Sequence, residues 1–499
     1  MSVVLMANCM VAALSLVGAI TPDGTNDMTR AVQVRAKSGE TLELAEGEYH
    51  FYADRARRME VYVSNHDQPV PRKVQLPLCG VENFTLRGLG KGARLVFHGE
   101  STGILLMDAK AVRLENLALD WAEPPIGEAR YEGMDKDGKP ELAWRVHGCD
   151  GETANAWMLW DGETRSIKPD TGDDFEWSQA TAGDIISMRA WSRPSPAICL
   201  YRAQDVKLDQ VTVHSAHGMG LLAQRSGDIE WSGGGVYPRE GCFCSTQADA
   251  THFSNCRGKI LVKGARFEGM MDDAINVHST CLRIEETQEG KRIKCRYMHP
   301  QAIGFEVFGP GEKLRFIRSR TLENGPETTV REVDRLDERT VVLTLADEVP
   351  AGLGVGDAVE NADYQPEVEF TGNTVKNNRA RAALFTTPGK VTVRDNTFDH
   401  VSGSAILLAG DASNWFESGA CTEVEIAGNR FLDCLTSRYQ FCHAVITSAP
   451  SVPDLAGQQT PYHGHIAVTG NVFACPGAKL WDGISVSRLE WHDNREGER

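Results

Sequence analysis

Apolar and polar positions alternate over short runs of five or six residues, as in the stretch that begins at Leu114, and period two marks β-strand rather than helix. The runs share a phrase: apolar, any, Gly or Asp, often Asn, any, apolar. It begins at Val262, Phe370, Val393, Ile426 and Val468, with looser copies at Leu114, Leu208, Trp231 and Trp491. Leu208 and Trp231, Phe370 and Val393, and Val468 and Trp491 are each 23 residues apart, while longer gaps imply loops added to a constant unit. A fixed period of this size signals stacked repeats.

A second strand phrase follows each anchor, at Gly220, Ala250, Ala274, Ala383, Ala405, Ala444 and Gly483. Each coil therefore supplies at least two short strands joined at corners rich in Gly and Asn, residues that tolerate positive φ. This predicts an all-β chain, a right-handed parallel β-helix solenoid. Asn373, Asn396, Asn429 and Asn471 fit either an internal side-chain ladder or left-handed turns.

Two stretches break the repeat. The text turns charged and punctuated by Pro and Gly from about Trp121 to Pro196, and again from about Cys281 to Asp363, which predicts two inserted antiparallel β, barrel-like modules. The expected organisation is a signal peptide over 1–19, solenoid coils over 20–121, an insert over 122–196, coils over 197–281, a second insert over 282–363 and coils over 364–499. The apolar opening, ending in Val-Gly-Ala, points to a secreted, periplasmic or cell-surface protein. No later stretch is long and apolar enough to span a bilayer.

Composition narrows the partners. A net charge of −17 disfavours nucleic acid and anionic membranes. The 13 cysteines show no zinc spacing and read mainly as buried free thiols. An exposed solenoid end offers a face for a homodimer, which nothing in the sequence decides.

Three aspartates carry the candidate chemistry: Asp249 in Gln-Ala-Asp-Ala, and Asp272 with Asp273 in Met-Met-Asp-Asp-Ala-Ile-Asn-Val. Asp249 and Asp273 each sit one residue before the small residue that opens a second strand, so they belong on neighbouring rungs about 4.8 Å apart. Like charges at that range raise at least one pKa and leave a protonated acid beside ionised partners. Glycoside hydrolysis needs such a set, one carboxylic acid for the leaving oxygen and one carboxylate for water or the sugar. His252, Asn276 and His278 are hydrogen-bonding types suited to sugar hydroxyls, and Met270 and Met271 are expected to form an apolar wall. The second insert begins a few residues later and is placed to enclose the site. Trp144, Trp160 and Tyr297 are further candidates for the leaving-group side.

At these residues the chain resembles glycoside hydrolase family 110, the α-1,3-galactosidases. The likeness rests on Gln-Ala-Asp-Ala-Thr-His-Phe, on Gly-Met-Met-Asp-Asp-Ala-Ile-Asn-Val-His, on the Asp-Gly-Thr-Asn-Asp entry from Asp23, and on a β-helix interrupted by barrel-like modules. It implies an exo-acting inverting hydrolase without cofactor or metal, acting on terminal α-galactosyl glycans such as the blood group B determinant. It also implies Asp272 as general acid, with Asp249 and Asp273 sharing the base role. Stacked rungs alone leave a retaining dyad equally open, and inversion calls for Asp272 to project from a turn before the strand. Three alternatives remain. A polygalacturonase-like hydrolase calls for basic groups beside the acids, and the one Arg-Ile-Lys run, at Arg292, lies inside an insert. A lyase or epimerase needs a separate base and a neutralising cation. A non-catalytic glycan-binding module would lack a deep acidic pocket.

Overall fold

The computed structural model describes residues 27–497 apart from 30, 31, 33, 34, 150, 151, 172–174, 289 and 438–440. The expected signal peptide and most of the Asp-Gly-Thr-Asn-Asp entry lie outside the described residues.

The nine phrase anchors form one continuous row. Leu114 pairs with Leu208, then Trp231, Val262, Phe370, Val393, Ile426, Val468 and Trp491, each in a parallel register with the next. Two earlier coils, at Leu42 and Leu86, extend the row and carry no recognisable phrase. The third position of every one of the nine phrases is left-handed, with φ between 52° and 66° at Asn116, Gln210, Gly233, Gly264, Gly372, Asp395, Gly428, Gly470 and Asp493. That corner turns the chain onto a second strand face, and Gly, Asn or Asp adopt it at least cost.

The four asparagines form the ladder rather than the turn. Their backbones are not left-handed; the backbone N–H of Asn373 donates to Asn396 Oδ1 at 2.8 Å, Asn396 to Asn429 at 2.9 Å and Asn429 to Asn471 at 2.8 Å. Asn494 continues it at 3.0 Å. Beneath, Phe398, Phe431 and Phe473 stack with centroids 5.1 and 4.7 Å apart, so the same rungs are filled with apolar surface. Each described cysteine is a free thiol, and no helix among the described residues is long and apolar enough to cross a membrane.

The other strand row of each coil includes Leu221–Gln224, Thr251–Ser254, Ile275–Thr280, Ala383–Thr386, Ile406–Leu408 and Ile446–Ser448. Its register corrects the sequence alignment by one residue at Ala383 and Ala444 and by three at Gly483, which pairs with Ser448. Ile275, not Ala274, pairs with Ala383, and Ile406 pairs with Ile446.

The two inserts differ. The strands from Leu282–Gln288 to Ala358–Asn361 close into a six-stranded antiparallel barrel with its own apolar core. The first insert is not barrel-like: Gly127–Met134, Pro140–Val146, Ala156–Trp160 and Ile185–Arg189 make an open four-stranded antiparallel sheet among the described residues.

Candidate active site

Asp249 and Asp273 precede paired strands whose register sets Thr251 beside Ile275, which puts the two aspartates on adjacent rungs. The backbone N–H of Asp273 donates to Asp249 Oδ1 at 3.2 Å. Asp272 lies in the bend just before the strand, and one oxygen from each of the three carboxyls falls within 4.8 Å of the others. Asp249 and Asp272 line a cavity of about 340 Å3; Asp273 is fully buried behind them. His252 and Asn276 also line the cavity, whereas His278 sits beneath it, 1% exposed.

The expected walls are elsewhere. Met270 belongs to the solenoid core and Met271 to a cluster with residues of the first insert, because their side chains point away from the cavity. Trp160 and Tyr297 are buried in other cores and Trp144 is exposed; the aromatic lining is Trp191, Trp415 and Phe441. Nor does the barrel enclose the site. A loop carrying Asp411, Asn414, Trp415 and Glu417 does, and the barrel supports it from behind, with His299 stacked on Trp415 at 3.8 Å and Ile317 and Leu322 packed against Ala412 and Phe416.

Basic groups do lie beside the acids, against the expectation from sequence. Arg193 donates to Asp272 Oδ2 at 2.9 Å, and Arg381 donates to Asp273 from its guanidinium at 2.8 Å and its backbone N–H at 3.1 Å. Arg381 also stands 3.8 Å from Asp272 Oδ1. Among the described residues, Asp272 Oδ1 is buried without a hydrogen-bond partner.

These surroundings split the trio. Burial, then the charge of Asp272, push Asp249 up to about 8. Burial would raise Asp272 too, but Arg193, Arg381, Arg379 and Arg189 outweigh it and hold that carboxyl below its usual value. Asp273 is raised by burial against the pull of Arg381. Near neutral pH the cluster thus holds a proton at Asp249 and a charge at Asp272, the unequal pair that acid–base work on a glycosidic bond requires. By donor type alone the three carboxylates suit a hard divalent cation, but Arg193 and Arg381 already supply counter-charge to two of them.

Residues 292–359 match the family model described as GLAA-B beta-barrel domain II. The chain is 41% identical to alpha-1,3-galactosidase B of Akkermansia muciniphila over 93% of its own length and 62% of that protein's, so it spans less than two thirds of this relative. It is 36% identical to alpha-1,3-galactosidase B of Parabacteroides distasonis over 95% of itself and 85% of the relative. Among solved structures, a family 28 exopolygalacturonase of Yersinia enterocolitica superposes with a TM-score of 0.41 at 12% identity, covering 96% of this chain and 76% of that one. The chain belongs to the α-1,3-galactosidase family of glycoside hydrolases.

Proposed function

We propose that the chain removes terminal α-1,3-linked galactose from glycans such as the blood group B determinant, in an exo-acting, inverting hydrolysis. The observation that carries this is the gathering of three aspartates at one cavity, Asp249 and Asp272 on its wall and Asp273 behind them, with one oxygen of each within 4.8 Å of the others. A cavity walled by Trp191, Trp415 and Asn65 as well as the aspartates favours a chain end over a chain interior.

In this reading Asp272 protonates the leaving oxygen through its unpartnered Oδ1, water attacks the anomeric carbon, and Asp249 takes the proton of that water. Asp273 acts through Arg381 and through the N–H it gives Asp249, since both its oxygens are engaged behind the cavity wall. Ordinary inverting pairs stand about 6.5–9.5 Å apart with water between them. Here one oxygen of each carboxyl lies within 4.8 Å of the other, short of that span, and in this reading the water approaches beside Asp249 rather than between the two carboxyls. Inversion therefore rests on the family likeness, not on spacing.

The test is incubation with branched and linear α-1,3-galactosyl oligosaccharides, with NMR of the anomeric proton at early times. β-Galactose appearing first is the expected result. α-Galactose first would replace inversion with a retaining dyad, and no release from either substrate would sink the proposal.

A further inference from the structure

The charge state of the free site has a sequel. With Asp249 protonated and Asp272 ionised, it matches the state that one turnover of the reaction above would leave: the acid has given its proton and the base has gained one. Before the next turnover Asp249 must lose that proton. The side chains behind it form a continuous path for doing so.

Asp249 Oδ2 lies 2.6 Å from His252 Nδ1, and His252 Nε2 lies 2.8 Å from His278 Nε2. Both rings are at most 1% exposed. The direction of each bond follows from its far end. The carbonyl of Ser279 only accepts, so His278 Nδ1–H donates to it at 3.0 Å. A neutral His278 then has a bare Nε2, and the contact between the rings requires His252 Nε2–H to donate. A neutral His252 has in turn a bare Nδ1, so the proton between it and Asp249 comes from the carboxyl. Burial keeps both imidazoles neutral, lowering His252 to about 4.

The path ends on a carboxylate. Glu417 Oε1 stands 3.5 Å from His278 Nε2, accepts from Asn65 Nδ2 at 2.8 Å, and lines the cavity. The antiparallel pairing of Ser279 with Ser418 and of Thr280 with Glu417 fixes it there. The charges of Asp272 and Arg193 also act on His252, His66 stands near it, and Asp249 acts on His278. Arg381 and His299 approach Glu417.

Resting on the function proposed above, we infer that His252 and His278 are a buried two-imidazole wire that returns Asp249 to its basic form, with Glu417 as the wire's counter-charge and exit. The step balances. The Asp249 O–H bond breaks as the proton moves to His252 Nδ1, while the His252 Nε2–H bond breaks as that proton moves to His278 Nε2. Asp249 becomes a carboxylate, His252 stays neutral in its other tautomer, and His278 becomes an imidazolium opposite Glu417. From there the proton leaves through Glu417 to the cavity, where Asp272 lies. These three are positioning residues; none breaks the glycosidic bond.

Two measurements test the wire. In the wild-type protein without substrate, nitrogen-15 NMR of the histidine rings is expected to show His252 protonated on Nε2 and His278 on Nδ1; His278 protonated on Nε2 alone would overturn the inference. In Glu417→Gln and His278→Gln, kcat on the α-1,3-galactoside is expected to fall about tenfold or more with KM nearly unchanged. It should also become dependent on the concentration of imidazole buffer, while wild-type kcat is expected to stay independent of it. An unchanged kcat and pH profile, or a loss confined to KM, would overturn it. Galactose release by the wild type tests the function and the tautomers are read without substrate, so the two proposals fail separately.

Discussion

The two sides of this cavity place the same residue type in opposite states. Asp249 is set in a dry wall, with burial, a neighbouring carboxylate and a neutral imidazole around it. Asp272 is a few ångströms away but sits among four guanidiniums. The chemistry of each is therefore decided by what stands behind it. A β-helix is well suited to this, because adjacent rungs bring like side chains together while separate loops supply unlike surroundings.

Exchanging either carboxyl for an amide should break the comparison most severely. Asp249→Asn and Asp272→Asn are each expected to lower kcat on an oligosaccharide by about 10²–10⁴-fold. The two should part on an aryl α-galactoside whose phenolate leaves without help: Asp272→Asn recovers much of its rate, and Asp249→Asn does not. Equal recovery by both, measured as kcat on the two substrates, would exchange or dissolve the assigned roles.

The same pair should move stability in opposite directions with pH. Asp249 is raised in the folded state above its unfolded value, so its contribution is present at low pH and is lost as pH rises from about 4 through about 8. Asp272 is lowered, so its contribution is present above the unfolded pKa and is lost on acidification. Relative to wild type, the Tm of Asp249→Asn should therefore rise between pH 4 and pH 8, while that of Asp272→Asn should fall as pH rises toward about 4 and hold level above it. Parallel curves would mean that the two walls do not differ.

Much of the dry wall was legible in the sequence, and little of the cationic one. The phrase anchors were visible because each coil must bury the same apolar positions and turn the same left-handed corner. Asp249 and Asp273 shared a place in that unit. Arg381 does too: with Ile275 opposite Ala383, it stands on the rung directly after Asp273. Matching Ala383 to Ala274, a slip of one residue, hid it. The Leu42 and Leu86 coils escaped because they bury the same positions without the Gly-Asn corner. Arg193 offered no such signal. It lies 79 residues before Asp272, between Ser192 and Pro194 at the end of an insert outside the repeat. Glu417 and Trp415 come from a loop that the repeat spacing marked only as extra length.

Neutralising the cationic wall is a gentler intervention. Arg193 heads the charges that lower Asp272 and holds its Oδ2. In Arg193→Gln the Asp272 carboxyl should keep its proton to higher pH, moving the acidic limb of kcat/KM up by about one unit. A limb that stays in place would assign it to some other group.

The smallest effect should come from outside the carboxyl cluster, where the barrel meets the cavity loop. His299 stacks on Trp415 without lining the cavity itself, so its removal leaves both walls intact and loosens only the aromatic surface beside them. A stacked aromatic pair contributes about 0.5–1.5 kcal/mol, which corresponds to roughly 2- to 12-fold in an equilibrium constant. His299→Ala is accordingly expected to raise KM for the oligosaccharide within that range while kcat and both limbs of the pH profile hold. If kcat or either limb moved instead, the barrel would be acting on the charge balance of the site and not only on the posture of its loop.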